Sequence, residues 1–257
     1  QVLKEAKYIA TSGRPGPVLI DIPKDILNQK SDWIEPGPLD LPGYKPTLDP
    51  NPKMIQQAAN LIKNAKKPIL YVGGGIIHSK ANQELFDLAT KFNIPVVTTL
   101  MGRGAFPDGH ELCLEMPGMH GNYTATTSIQ KSDLLIAIGV RFDDRVTANP
   151  SFFAQNAKVI HADIDPAEIG KVREAQVPIV GDAKSVILGL IDALRDEELD
   201  TKNWINELNS MKTKYPLSYN QDENGPLKVP FVLEELQNLT EEEAVVVSGV
   251  GQHQMWI

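Results

Sequence analysis

From Pro52 to about Ala193 the apolar positions switch repeatedly between two periods. Ile55, Ala58, Ala59 and Ile62 recur every three or four residues, as on one face of a helix, and continuous apolar runs of four or five residues follow. The pattern predicts a helix through these four positions and further helices over Glu84–Phe92, Thr124–Lys131 and Ala183–Leu194. Strands are expected at Pro68–Val72, Ile94–Thr98, Leu134–Ile138 and Val159–Ile164, with a fifth ending at Val180. These runs are rich in Ile and Val and do not alternate with polar residues, which fits strands covered on both faces. Strands alternating with helices imply an α/β unit built on a central parallel sheet of Rossmann-like type, with helices on both faces.

The flanks read differently. Gln1–Thr11 has helical spacing, Ser12-Gly13-Arg14-Pro15-Gly16-Pro17 breaks it, and Val18–Pro23 reads as a short buried strand ended by proline. Residues 1–27 therefore look like the end of one α/β domain. Prolines at 36, 38, 42, 46, 50 and 52 make residues 28–52 a semi-rigid linker, because they remove ladder donors and forbid a continued helix. The central unit is expected over 53–196, and 197–228 as a helix at Trp204–Tyr215 followed by a polar linker. Residues 229–257 look like the opening of another domain: a helix at Val232–Leu239, a turn at Glu241-Glu242-Glu243, and a strand at Ala244–Ser248 leading into Gly249-Val250-Gly251. A first residue that is not Met and a last one just beyond a glycine turn lead us to expect an internal piece of something longer.

Composition narrows the function classes. Lys plus Arg total 25 against 33 Asp plus Glu, a net charge of −8, which argues against nucleic acid as a partner while leaving room for a local basic pocket. One cysteine, Cys113, excludes an internal disulfide framework and any multi-cysteine metal cluster. No apolar run approaches the roughly 18 residues of a membrane span. The five histidines lack the i, i+4 pairing of a metal-binding helix, and Cys113 is expected to be an inert thiol.

In an open parallel sheet, ligands bind beyond the carboxyl ends of the strands, so the residues just after each apolar run carry the information. Gly73-Gly74-Gly75 follows the first, where absent Cβ atoms permit either close ligand approach or merely a tight turn. Thr98-Thr99-Leu100-Met101-Gly102 follows the second. Gly139-Val140-Arg141-Phe142-Asp143-Asp144-Arg145 follows the third, and its guanidinium groups suit phosphate unless they only form a salt-bridge network. Asp163-Ile164-Asp165-Pro166 follows the fourth, an acid placed to accept from a ribose, with Asp165 the better candidate for a helix N-cap. Val180-Gly181-Asp182 closes the fifth. Together they predict one sheet edge that takes an extended nucleotide such as FAD, NAD or an adenylated coenzyme. The first strand lacks the GxGxxG fingerprint, which removes the main support for an ordinary NAD dehydrogenase. Gly181-Asp182-Ala183 with Asn203, Asn206 and Asn209 only imitates a thiamine-enzyme magnesium motif, since alanine stands where glycine is required.

Several of these residues carry a resemblance. Ser12-Gly13-Arg14-Pro15-Gly16-Pro17-Val18 with Asp21-Ile22-Pro23-Lys24-Asp25, then Met119-His120-Gly121, Arg141-Phe142-Asp143-Asp144-Arg145 and Gly251-Gln252-His253-Gln254-Met255-Trp256 resemble the acetohydroxyacid (acetolactate) synthase large-subunit family of thiamine diphosphate enzymes, in order and over nearly the whole chain. The resemblance implies the end of a pyrimidine-binding domain, a whole central FAD domain and the start of a diphosphate-binding domain. It implies condensation of two pyruvates, or of pyruvate and 2-ketobutyrate, with loss of CO2, in branched-chain amino-acid synthesis.

Carried over position by position, the resemblance implies FAD contacts at Arg14, Gly73, Gly74, Thr99, Leu100, Met119, His120, Gly121, Gly139, Arg141, Asp143, Arg145, Asp163, Ile164, Gly181 and Asp182. It places Gln252 and His253 near the thiamine diphosphate phosphates, and Lys24, Met119, Asp144 and Arg145 along the substrate and herbicide channel. The activating glutamate and the Mg2+ ligands would lie outside these residues, so no catalytic or metal residue is expected within them and the piece alone would be inactive. The family further implies a homodimer or homotetramer, a regulatory small subunit, and a cytoplasmic location in bacteria and archaea or an organellar one in eukaryotes. Two rival readings are a glyoxylate-type carboligase of the same architecture and a non-catalytic module holding ADP or an adenylated coenzyme.

Overall fold

The structure, a computed structural model, describes residues 1–240 and 244–256. Its elements in chain order are α1 (Val2–Thr11), α2 (Lys24–Leu27), α3 (Pro52–Asn64), β1 (Pro68–Val72), α4 (Gly74–His78), α5 (Asn82–Phe92), β2 (Val96–Thr98), α6 (Tyr123–Lys131), β3 (Leu134–Ile138), α7 (Asp144–Thr147), β4 (Lys158–Asp163), β5 (Val177–Val180), α8 (Ala183–Ala193), α9 (Lys202–Lys214) and α10 (Val229–Leu239). The strands form one parallel sheet in the order β2-β1-β3-β4-β5.

Strand residues alternate between two cores. Leu70, Val72, Ile136, Ile138, Ile160 and Ala162 face one core with α3, α5 and α8, whereas Ile69, Tyr71, Leu135, Ala137 and Val159 face the other with α6 and α9. This double coverage explains the unbroken apolar runs. Helix α3 starts at Asn51, whose side chain accepts the Lys53 N–H, with Pro52 supplying a ready-set φ at the first position. It buries Ile55, Ala58, Ala59 and Ile62, and α8 buries Ala183, Val186, Ile187 and Leu190 at the same spacing. Each fully buried Ile or Leu contributes about 1.5–3 kcal/mol, which holds both helices against the sheet.

Helix α9 seals the second face. Trp204 is buried and its Nε1–H donates to the Pro68 carbonyl at 3.1 Å, while Leu208 and Met211 pack beside it. The proline-rich stretch is anchored near its end. The Asp182 N–H donates to the Leu48 carbonyl at 2.8 Å, and the Tyr44 hydroxyl donates to the Ser12 carbonyl at 2.9 Å.

Two expected strands are absent. Val18–Ile22 and Ala244–Ser248 are irregular, with Leu19 and Val247 both 89% exposed. A strand needs a neighbour to take up its backbone groups, and among the described residues neither edge of the sheet pairs with these segments. The expected turn at Glu241–Glu243 lies outside the described residues. Strand β2 begins two residues later than the apolar run suggests, at Val96. Asp165 caps no helix: residues 166–173 form turns, in which its side chain accepts the Ala167 N–H at 3.0 Å.

Candidate functional site

The chain leaves β1 towards β2 on one side and leaves β3 towards β4 on the other, so the loops after β1 and β3 diverge. Such a switch point opens a crevice at the carboxyl edge of a parallel sheet. The two strands end level, Val72 opposite Ile138. At the base of the crevice the loops interlock through glycine. A methyl group at Gly73 would sit 2.4 Å from the Gly139 carbonyl oxygen, and one at Gly75 would sit 2.6 Å from Gly139 Cα. Gly139 has φ +62°, and its N–H donates to the Ala162 carbonyl at 2.8 Å. The first duty of Gly73 and Gly139 is thus backbone-to-backbone contact. Gly74, where a methyl would lie 3.3 Å from the Met101 carbonyl oxygen, is the more open of the three after β1.

The segment after β3 carries the site's positive charge. Arg141, Asp143, Asp144 and Arg145 all point to solvent, while Phe142 between them is buried. Asp143 caps α7, its side chain accepting the Arg145 N–H at 3.1 Å. That hydrogen bond is the main reason its carboxyl lies below the ordinary carboxylate range, and the nearby guanidinium groups of Arg141 and Arg145 act in the same direction. Two long, weak ion pairs, Arg141–Asp143 at 3.5 Å and Arg145–Asp144 at 3.3 Å, leave most guanidinium donors available.

Met119, His120 and Gly121 belong to a loop laid against this segment. The Met119 N–H donates to the Arg145 carbonyl at 2.9 Å, and Gly118, at φ +100°, approaches the same oxygen where a side chain would not fit. Gly121 is equally crowded, a methyl there meeting the Met116 carbonyl oxygen at 2.2 Å. Met119, Leu100 and Met101 are exposed and give this edge an apolar surface; the Thr99 N–H is tied to the Val72 carbonyl at 2.9 Å.

Acids line the ends of β4 and β5. Asp163 is buried, which raises its carboxyl, although its side chain accepts the Asp165 N–H at 2.9 Å; Ile164 beside it is half-buried. Asp182 caps α8 by accepting from Lys184 and Ser185, and Gly181 passes close to Leu48 and Pro50. Arg14 reaches this end of the sheet from far along the chain. Its guanidinium lies 3.0 Å from Asp165 and 2.8 Å from Glu168, so carboxylates occupy part of its donor set.

The structure thus gathers Gly73, Gly74, Thr99, Leu100, Met119, His120, Gly121, Gly139, Arg141, Asp143, Asp144, Arg145, Asp163, Ile164, Gly181, Asp182 and Arg14 at or beside one sheet edge. It does not gather the rest. Lys24 is exposed at the start of α2, and Gln252 and His253 lie in an exposed single turn, Gln252–Met255, whose hydrogen bonds are local. Residues without a place in the sequence reading also shape the site. Glu168 pairs with Arg14, while Tyr71 and His161 join Phe142 of the motif in a buried aromatic block beneath the Arg141–Arg145 segment. Tyr71 and His161 sit inside apolar runs and look like ordinary core residues there. Burial pushes the Tyr71 hydroxyl well up, the Asp143 charge adds to this, and among the described residues the hydroxyl has no hydrogen-bond partner.

This donor set fits an extended, partly anionic dinucleotide. Free guanidinium donors suit a diphosphate, the Asp163 carboxylate suits a ribose hydroxyl, and Leu100, Met101 and Met119 suit a flat ring. The fold is a parallel α/β domain with its polar strand-end residues on one edge, and the chain belongs to the thiamine pyrophosphate enzyme family, whose central domain matches residues 55–190. The chain is similar to an acetolactate synthase of Mycobacterium leprae, 55% identical over 260 residues, and to a chloroplastic acetolactate synthase 2 of Nicotiana tabacum, 46% identical over 264. A probable acetolactate synthase large subunit of Methanocaldococcus jannaschii is 44% identical over 267 residues. Each alignment covers 100% of this chain but only 42%, 39% and 45% of the relative, so the chain spans about two fifths of their length. Among the described residues no helix is long and apolar enough to cross a membrane.

Proposed function

We propose that this chain is the FAD-holding middle of an acetolactate synthase large subunit, a thiamine diphosphate enzyme that joins two pyruvates, or pyruvate and 2-ketobutyrate, with loss of CO2. The observation that carries the reading is the convergence of two exposed arginines and a buried acid on one edge of the sheet, in a chain whose full length aligns with proteins of that name. Arg141 and Arg145 would grip the diphosphate of FAD, Asp163 would accept from its ribose, and Leu100, Met101 and Met119 would cover its ring. A decarboxylative condensation transfers no net electrons, so FAD serves there as a structural element and thiamine diphosphate supplies the carbanion stabilisation. Gln252 and His253 would face the thiamine phosphates, and Lys24, Asp144, Arg145 and Met119 would line the substrate channel.

The same reading assigns the activating carboxylate and the Mg2+ ligands to other parts of the protein, and leaves the present residues inactive by themselves. It includes assembly as a homodimer or homotetramer with a regulatory subunit, and a cytoplasmic or, in eukaryotes, organellar location. A titration of the chain with FAD, followed by flavin fluorescence, tests it. Saturable binding is expected, weakened about ten-fold or more in Arg141→Ala, because a charge-assisted hydrogen bond is worth about 1.5–3 kcal/mol. A folded chain that binds no flavin, or binds ADP as tightly as FAD, would refute the FAD assignment.

A further inference from the structure

We infer that His161 is a positioning residue: one buried imidazole on β4 holds the two charged loops of the sheet edge in register with each other. Its ring has no solvent exposure. Nδ1 lies 3.4 Å from the Gly170 backbone nitrogen, and Nε2 lies 2.9 Å from the Val140 carbonyl oxygen. An amide N–H can only donate and a carbonyl can only accept, so Nδ1 is the acceptor and the ring proton sits on Nε2. The imidazole is therefore neutral and its tautomer is set by its two partners. Burial, which lowers its basicity, keeps it so.

Each partner leads to a different part of the site. Val140 precedes Arg141, so the Nε2 bond fixes the root of the segment that carries Arg141, Asp143 and Arg145. Gly170, at φ +75°, follows the turn that carries Asp165 and Glu168, the two acids that grip Arg14. The ring also packs edge-on against Phe142 at 5.0 Å. Phe142 has φ +54°, a left-handed conformation that a phenylalanine keeps only when its surroundings hold it. His161, Tyr71 at 5.7 Å and Phe153 at 6.1 Å are those surroundings. With Phe142 turned inward, Arg141 and Asp143 are turned outward. No other side chain hydrogen-bonds both loops among the described residues.

The test compares His161→Gln, His161→Asn and His161→Leu by amide hydrogen exchange without ligand and by FAD titration. Glutamine places an N–H near the Nε2 position and asparagine an oxygen near the Nδ1 position. His161→Gln is expected to keep the bonded amides of residues 145–148 protected while 168–171 exchange faster, and His161→Asn to do the reverse. His161→Leu should speed both segments by about ten-fold or more relative to β1 and α3, since local opening sets exchange there. Equal exchange in the glutamine and asparagine variants would overturn the proposal, as would acceleration spread evenly over the whole sheet. The ligand arm rests on the FAD reading: His161→Leu should weaken FAD at least ten-fold, with His161→Gln nearer the parent. Unchanged FAD affinity in a variant with loosened loops would overturn the functional half. A parent chain that binds no FAD would refute the FAD reading alone, because the exchange pattern still decides whether His161 holds the loops.

Discussion

Replacing Gly139 by alanine probes the interlock at the base of the crevice. The added methyl would lie 2.6 Å from Gly75 Cα and 3.0 Å from its nitrogen, both backbone atoms that cannot swing aside. At φ +62° an L-residue also pays about 1–2 kcal/mol for left-handed backbone. Overpacking against fixed atoms adds about 1–3 kcal/mol. The expected loss is their sum, about 2–5 kcal/mol, a large part of the roughly 5–15 kcal/mol that holds a domain folded. Two other glycines separate the contributions. Gly104, at φ +80° with open space around it, should show only the backbone cost of about 1–2 kcal/mol on change to alanine. Gly16, open and without positive φ, should change by less than about 0.5 kcal/mol or gain slightly. Urea unfolding followed by tryptophan fluorescence gives the three midpoints, compared at constant m-value. If Gly139→Ala were no worse than Gly104→Ala, the close approach of the β1 and β3 loops would be refuted, and with it the account of how the crevice is set.

Three further outcomes are expected. Trp204→Ala should cost about 3–5 kcal/mol in the same urea assay and Trp204→Phe about 1–3, the latter from the unpaired Pro68 carbonyl; small losses in both would remove α9 from the core. Tyr71→Phe should be neutral or stabilising by thermal melting, because it deletes a buried hydroxyl with no hydrogen-bond partner among the described residues, and a loss above about 1 kcal/mol would refute this. The Ala167 N–H and then Arg14 hold Asp165 below its ordinary 3.8, and for Glu168 hydrogen bonds from Arg14 and Lys171 outweigh a burial that acts to raise it above 4.5. Both acids are depressed in the folded state, so their stabilisation is complete above those ordinary values and is lost as pH falls through the lower folded ones. Melting temperature should therefore decline below pH 4.5, with a shallower decline in Arg14→Ala, whose cost at neutral pH should stay near or below about 1 kcal/mol because the pair is partly exposed. An equal acid slope in the variant would show that Arg14 does not set these acids.

Much of the central unit was legible from the chain alone. Ile55, Ala58, Ala59 and Ile62 announce α3 by spacing, and the unbroken run Leu134–Ile138 announces a strand buried on both faces. Both signals arise between residues a turn or two apart. The charged and glycine-rich residues after each run could be located for the same reason, since parallel strands bring their carboxyl ends to one edge.

Interactions between distant residues were not legible. Val18–Ile22 and Ala244–Ser248 have strand-like composition, but a strand exists only where a neighbour pairs with it. Along the chain the glycine run at Gly73 fits either ligand approach or a tight turn, and only the fold shows that Gly73 and Gly139 make room for each other's loops. Asp143 and Asp182 offered themselves as ligand acids, yet each also caps the helix that follows it. His161 reads as one more residue of a buried strand. Its meaning depends on Val140, 21 positions before it, and Gly170, nine after it. Periodicity and strand-end chemistry are local, so the central helices, the parallel sheet and the edge where the candidate chemistry collects could be read along the chain, whereas the two flanking strands could not. Only the tertiary structure decided which glycines are steric, which acids are already engaged and which buried ring ties the loops together. Those roles are set by which groups meet across the fold, where a hydrogen bond or a clash of a few tenths of an ångström outweighs any local preference.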